Sequence, residues 1–228
     1  SMAGDTAPVE EVMELVDRHP NLFVYFDDAH GFGWAGRHGR GVVLDRVGWH
    51  ERMVVTAGLS KAFGAMGGVV VAVDPALVER VVLCGGTFTF SGPIQPAELA
   101  AGVASADLHL SEEHAELQAE LLRRIDRVRA GLVARQLPVL SLEATPIWFL
   151  RIGSPDRVVE LVHRLLDEGF YVNPSAFPAV PVGMSGIRFT QTLHNDDDHI
   201  DALLDALGRH VPELVVDDAG VVDLRGES

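Results

Sequence analysis

The stretch Leu22-Phe23-Val24-Tyr25-Phe26-Asp27-Asp28-Ala29-His30-Gly31 decides how the chain is read. Five apolar residues run without a break at strand length, then stop at two carboxylates and a histidine. A continuous apolar run, rather than an alternating one, predicts a strand buried on both faces, as in parallel sheets. Polar groups at the carboxyl end of such a strand lie where open α/β sheets bind ligands. Upstream, Pro8 suits the first turn of a helix. Val9, Val12, Met13 and Val16 recur at helical spacing to about Arg18, and His19-Pro20-Asn21 breaks that helix. Downstream, Gly31, Gly33, Gly36, Gly39 and Gly41, with Arg37 and Arg40 among them, fit neither a dinucleotide nor a Walker fingerprint. They read either as a flexible solvent loop or as backbone lying against a cofactor. Strands are then expected at Met53–Thr56 and Gly68–Val73, the second closed by Asp74-Pro75. A helix from Pro75 to Leu83 leads into Gly85–Pro93. The small apolar residues of Ala97 to Ala106 predict a tightly packed helix.

The composition changes after Asp107. From Ser111 to about Arg135 the pattern predicts one long amphipathic helix with Leu117, Leu121, Ile125, Val128 and Leu132 on one stripe. Glu112, Glu113 and Glu116 crowd its start and Arg123, Arg124, Arg127 and Arg129 its later part, an order that complements the helix dipole. Beyond it comes an α+β pattern: strand Ile147–Ile152, helix Pro155–Glu168, short strand Phe170–Val172, a proline-rich loop, strand Gly186–Gln191 and helix Asp196–His210. That last helix turns Ile200, Leu203, Leu204 and Leu207 inward. These changes divide the chain into residues 1–110, residues 111–211 and a weakly patterned tail, 212–228. Asp196-Asp197-Asp198 lacks calcium-loop spacing and reads as an acidic helix start. His109, His114 and His163 show no zinc-like pairing.

Lys61 is the only lysine in the chain; every other cationic side chain is arginine. Arginine stays charged at any accessible pH, whereas lysine can lose its proton and attack a carbonyl. Lys61 follows the strand-like Met53-Val54-Val55-Thr56 and precedes Gly64, Gly67 and Gly68, glycines that allow close backbone approach or positive φ. The pattern points to a lysine that forms a Schiff base with an aldehyde. A lone surface lysine in an arginine-biased chain is the bland alternative.

Bulk properties narrow the function classes. The 228 residues are long enough for one large domain or two small ones. A formal net charge of −15 excludes a nucleic-acid surface, which needs clustered cations, and repels anionic membranes. Cys84 is the single cysteine, so no internal disulfide forms; after Val81-Val82-Leu83 it reads as a small buried apolar residue. No signal peptide or bilayer-length apolar run is present in the sequence, and the cytoplasm is the expected location.

Asp27, His30 and Lys61 together match what pyridoxal phosphate asks of a protein. The cofactor needs a lysine for its aldehyde, a carboxylate that keeps its pyridine nitrogen protonated, and donors for its phosphate. An aspartate ending one buried strand and a lysine shortly after the next would face one crevice. Single readings stay open: Asp27 also suits a turn and His30 a packed imidazole.

The run Asp27-Asp28-Ala29-His30-Gly31-Phe32-Gly33, Gly36, Gly39-Arg40-Gly41, Leu59-Ser60-Lys61-Ala62-Phe63-Gly64 and Gly67-Gly68 resembles the α-oxoamine synthases. These are fold-type I pyridoxal-phosphate enzymes, a group that includes 8-amino-7-oxononanoate synthase and 2-amino-3-ketobutyrate coenzyme A ligase. Gly169-Phe170-Tyr171-Val172, Phe177-Pro178-Ala179-Val180-Pro181, Ile187-Arg188-Phe189 and His194 are similar to the family's C-terminal domain. The resemblance covers about Gly4 to Leu207. It implies an α/β chain of the aspartate-aminotransferase type: the second half of the large parallel or mixed-sheet domain, then a small α+β domain. It makes Lys61 the Schiff-base lysine, Asp27 the pyridinium carboxylate and His30 the histidine near the cofactor oxygen. Arg188 becomes the arginine that grips the amino-acid carboxylate, and Thr87 to Ser91 the segment that reaches the cofactor phosphate of a neighbouring subunit in a dimer. The implied substrates are an amino acid and an acyl thioester on coenzyme A or a carrier protein.

Two departures stand out. The family carries Ser or Thr three residues before the lysine, where this chain has Gly58. Thr56 or Ser60 compensates as a phosphate donor, or cofactor affinity is lower. The pattern also begins midway, without the family's N-terminal half and its phosphate loop. The expectation is a split enzyme whose other half is a separate polypeptide; a fragment or a shortened stand-alone protein is the alternative.

Overall fold

The computed structural model describes residues 1–215, and most of the expected tail, from residue 216 on, lies outside the described residues. The chain divides into two compact units, Thr6–Gln118, and Ser1–Asp5 with the chain from Ala119 on.

The Thr6–Gln118 unit is built on a three-stranded mixed sheet in the order β1-β2-β3. Helix α1 (Val9–Arg18) precedes β1 (Val24–Asp27). A glycine loop with one 3-10 turn at Arg37–Gly39 and the short helix α2 (Val42–Val47) cross over to β2 (Met53–Gly58). β1 and β2 are parallel, in the register Val24↔Met53 to Asp27↔Thr56. β3 (Gly68–Ala72) returns antiparallel, with Thr56↔Val70 and Gly58↔Gly68. One sheet face is dry: Phe26, Met53 and Val55 meet Val9, Met13 and Val16 of α1 and Val43 of α2. Each such side chain, fully buried, stabilises the unit by about 1.5–3 kcal/mol. Arg52 ties the end of α1 to this layer, donating from Nη1 to the carbonyls of Val16 (2.6 Å) and His19 (2.7 Å).

The opposite face is open, which corrects the expectation of a strand buried on both sides. Tyr25 is 65% exposed, and Leu22 and Phe23 lie before the strand. Continuous apolarity marks residues fit for burial; it does not say which layer covers them. The same correction applies downstream. Helices α3 (Pro75–Cys84), α4 (Gly86–Phe90) and α5 (Pro96–His109) form, but Leu83, Phe90, Leu99 and Val103 are exposed, so α5 is not tightly packed. Cys84 is exposed rather than buried. Asp74 caps α3 by accepting from the Ala76 amide at 2.9 Å, the expected role of an aspartate at this position. The long α6 (Glu112–Ala134) begins in this unit. Its stripe is buried at Ile125, Val128 and Leu132 and exposed at Leu117.

The unit from Ala119 on carries an antiparallel sheet in the order β4-β6-β5. β4 (Ile147–Gly153) and β6 (Ser185–Thr190) pair along their length, while β5 (Asn173–Ser175) pairs with β6. The short strand expected at Phe170–Val172 therefore forms three residues later: Val172 is buried, Tyr171 stands 81% exposed, and the pairing begins at Asn173↔Arg188. Register against β6 outweighs the β-propensity of Tyr and Val. Helix α7 (Pro155–Asp167) turns Val158, Leu161 and Leu165 into the core, and α8 (Asp197–Leu214) adds Ile200, Leu204, Leu207 and Leu214. α8 runs past the expected end at His210 with Pro212 inside its last turn, where the missing proline N–H removes one helix bond. Arg–Asp rungs join α6 and the residue that follows it to α8: Arg123–Asp197, Arg127–Asp201 and Arg135–Asp205.

Candidate active site

Strand geometry sorts the two aspartates at the end of β1. Successive side chains point to opposite faces, so Asp27 faces the open side with Tyr25, while Asp28 turns inward and is buried. Asp27 Oδ1 accepts the Ala29 amide at 2.9 Å, a local turn bond that leaves the other carboxylate oxygen available. Asp28 continues the ladder, its amide donating to Thr56 O at 2.8 Å, and its carboxylate accepts the Val43 amide at 2.9 Å. Burial pushes the Asp28 carboxyl above its ordinary value, against the lowering pull of the Val43 and Val42 amides. This carboxylate packs so closely against Gly31 and Gly41 that neither position has room for a β-carbon.

The segment after Asp28 coils tightly. The Phe32 amide donates to Asp28 O (2.9 Å), Ala35 to Gly31 O (2.9 Å), and Trp34 Nε1 to His30 O (2.6 Å). His30 is thereby fixed, half-buried, three residues after Asp27. On β2, Thr56 is the register partner of Asp27, on the same open face. Its hydroxyl oxygen lies 2.9 Å from the Tyr25 hydroxyl. Gly58, next along that face, has only the Ala29 methyl near the position of a β-carbon, at 3.6 Å.

β2 ends in the turn that carries Ser60 and Lys61, both exposed. The turn is closed by Leu59 N to Gly67 O (2.9 Å), Ala65 N to Leu59 O (2.8 Å) and Gly64 N to Lys61 O (3.0 Å). Phe63, two residues on, stacks on Phe32 with ring centroids 5.1 Å apart. The lysine turn is thus laid against the glycine loop. Thr56 and Thr87 line one cleft of about 710 Å³, with Gly68, Phe88, Ser91 and Ile94. Asp27 and Thr56 are thus neighbours across β1 and β2, and Thr87, which the resemblance assigned to a neighbouring subunit's cofactor, lines a cleft of this chain with Thr56. Arg188 lies on β6 in the other unit, partly buried, opposite Phe149 and Asn173, with Nε donating to Met2 O at 2.9 Å. Burial lowers its pKa from the usual guanidinium value.

A family model for aminotransferase class I and II matches residues 1–207. The chain belongs to the aminotransferase class I and II family. Within this family it is 36% identical over 214 residues to a putative 8-amino-7-oxononanoate synthase from Desulforudis audaxviator, covering 93% of this chain and 54% of the relative. It is 32% identical over 207 residues to 8-amino-7-oxononanoate synthase from Salmonella dublin, covering 91% and 52%. A solved structure of SPT with PLP superposes with a TM-score of 0.83 at 26% identity, covering 95% of this chain and 54% of that one. The chain spans about half the length of the relatives it matches. Its relatives are α-oxoamine synthases, and its fold is that of the fold-type I pyridoxal-phosphate enzymes.

Three features of this class I and II chain were not read from the sequence. The Tyr25–Thr56 hydroxyl pair needed the register of two strands. The inward role of Asp28 was available from strand alternation. The third is a histidine cluster in which His109 and His114 approach the Gly33 carbonyl and His38 Nδ1 meets the His109 carbonyl. His109 and His114 flank the break between α5 and α6, so no helical spacing links them. Among the described residues no group of three or more His, Cys, Asp or Glu could hold a metal, and no helix is long and apolar enough to cross a membrane.

Proposed function

We propose that the chain is the catalytic half of a cytoplasmic pyridoxal-phosphate-dependent acyltransferase. The reaction joins an amino acid to an acyl thioester and releases carbon dioxide and the thiol, leaving an α-aminoketone. The observation that carries this is Asp27 in register with Thr56 on the open sheet face, with the chain's only lysine on the turn that ends the same strand. The donor set fits the cofactor: a carboxylate for its ring nitrogen, hydroxyls for its phosphate and a primary amine for its aldehyde. Bound pyridoxal phosphate supplies an electron sink for negative charge developing at the amino acid's α-carbon.

The chain's own residues supply the rest. The Asp27 carboxylate holds the proton on the cofactor ring nitrogen. His30 donates toward the phenolic oxygen. Thr56, Ser60 and Thr87 are the phosphate donors, with Thr87 serving a neighbouring subunit in a homodimer of assembled units. Lys61 Nζ would hold the aldehyde and would take the substrate's α-proton as general base. Arg188 grips the substrate carboxylate through its forked donors. Coenzyme A or a carrier protein delivers the acyl group.

The other half of the fold comes from a complementary polypeptide. Exposed Tyr25, Phe88, Phe90, Leu99 and Val103 support this, as do β1 and β3, each paired on one side only within their sheet. Apolar faces and open strand edges of this kind aggregate unless covered. Gly58, where the family carries a hydroxyl, favours a second reading: a non-catalytic half that scaffolds an active partner.

Purification from the native source, addition of pyridoxal phosphate, borohydride reduction and peptide mapping test the reading. The expected result is a co-purifying second chain and a reduced adduct on Lys61 alone. An amino acid labelled at its carboxyl carbon should lose that carbon as carbon dioxide while a new carbon–carbon bond forms. Retention of the label points to transamination or other amino-acid chemistry. Activity that survives Lys61→Ala establishes the scaffold.

A further inference from the structure

The bonds that close the lysine turn are internal to it, so something else must hold it to the rest of the unit. Phe63 does this through two contacts. Its carbonyl accepts from Ser105 Oγ of α5 at 2.5 Å, and its ring stacks on the His109 imidazole at 4.8 Å. His109 sits one helical turn after Ser105 and is buried, 7% exposed. Its Nε2 lies 2.9 Å from Gly33 O, in the glycine loop, and its Nδ1 lies 2.8 Å from Ser105 O. Its own carbonyl accepts from His38 Nδ1 at 2.9 Å, and the His114 ring lies 4.4 Å away with Nε2 3.4 Å from the same Gly33 carbonyl. The loop makes space for this ring: a β-carbon on Gly39 would stand 2.6 Å from His109 Cδ2. Both ring nitrogens face carbonyl oxygens. Nδ1 also lies 3.3 Å from Ser105 Oγ. No step assigned above uses His109.

We propose that His109 is a positioning residue for Lys61, a buried strut that pins the lysine turn, through Phe63, to the glycine loop and to α5. The contacts stand independently of the chemistry; that the positioned amine serves a cofactor rests on the function proposed above. His109→Phe keeps a ring against Phe63 and removes both nitrogen contacts. His109→Gln offers one donor group and reaches one carbonyl.

The test is amide hydrogen exchange on the full chain with whatever partner accompanies it, without added cofactor. In His109→Phe the peptide covering 59–65 should exchange faster by about tenfold or more, while α1 at 9–18 stays at the wild-type rate. His109→Gln should fall between the two. Because Lys61 is this chain's only lysine, reductive methylation with labelled formaldehyde gives this chain one side-chain signal, identified by its loss in Lys61→Arg. That signal should shift or narrow in His109→Phe. An unchanged 59–65 peptide overturns the proposal, and so does equal acceleration in α1, which makes His109 merely structural. Failure of wild-type Lys61 to trap pyridoxal phosphate, with the exchange result intact, refutes the proposed function and leaves the strut standing.

Discussion

Gly33→Ala should uncouple Lys61 from its cofactor without touching either. Gly33 has φ +94°, and a β-carbon built on it would meet the Phe63 nitrogen at 2.6 Å and the Ala62 carbonyl carbon at 2.8 Å. Both are backbone atoms of the lysine turn, so no rotamer change relieves the clash. Forcing a non-glycine residue to positive φ costs about 1–2 kcal/mol, and overpacking of this kind about 1–3 kcal/mol more. Ordinary contact begins at 3.4 Å, so the turn must retreat by about 0.8 Å to relieve the closest clash. Misplacing a reacting group by about 1 Å costs on the order of 10²-fold in rate. The assay is the rate of borohydride-trapped pyridoxal phosphate on Lys61, run beside urea unfolding. Trapping should fall by about ten- to a hundredfold, with stability lower by about 2–5 kcal/mol. Gly64→Ala is the control, because φ is +76° there and nothing lies within 4 Å of an added β-carbon. It should carry the backbone strain alone and trap cofactor at nearly the wild-type rate. Unchanged trapping in Gly33→Ala, or an equal loss in Gly64→Ala, refutes the coupling of glycine loop to lysine turn.

Gly58→Thr places a hydroxyl on the open face beside Thr56, where the nearest obstacle to its β-carbon is the Ala29 methyl at 3.6 Å. Replacing a strand glycine gains about 0.5–1 kcal/mol, and equilibrium dialysis should show tighter pyridoxal phosphate binding; weaker binding sinks the phosphate assignment of this face. Asp28→Ala strands the buried Val43 amide, at a cost of about 1–3 kcal/mol in urea unfolding. Because the Asp28 carboxyl is raised above 3.8 by burial, its ionisation removes stability as pH climbs from there through the raised value. Asp28→Asn should flatten that slope, and an identical pH–stability curve contradicts it. Glu120 is held down to about 2 by hydrogen bonds from Arg123 and Arg124. Its contribution is complete above 4.5 and is lost as pH falls from there toward about 2. Glu120→Gln should blunt acid unfolding seen by circular dichroism, and less so in high salt because the pair is exposed.

What the sequence made legible follows from what local chemistry fixes. Helix α1 and strand β2 were readable because their apolar spacing and their breakers agree with the packing they enter. The lysine turn was readable from composition, since Lys61 stands alone among arginines. Asp27 and Thr56 needed the strand register to become neighbours, and both were identified before that register was known. The His109 cluster was beyond reach: its partners are backbone carbonyls of Gly33 and Ser105, which no residue type announces. The strand at Asn173–Ser175 was misplaced because its position is set by β6 and not by its own residues.

The errors over burial share a physical cause that bears on the proposed assembly. Tyr25, Cys84, Leu99 and Val103 were all read as interior or tightly packed, and all are exposed. They lie in the same unit as Asp27 and Lys61, whereas in the unit from Ala119 on the expected core residues Ile200, Leu204 and Leu207 are buried. One unit thus satisfies its apolar pattern from its own helices and the other does not. A sequence that encodes burial its own chain does not supply is what a shared core requires, because each half of such a core must be apolar before it meets the other. The open face of the β1-β2-β3 sheet is also the face that carries Asp27 and Thr56, so the proposed partner and the proposed cofactor site meet on one side of the sheet.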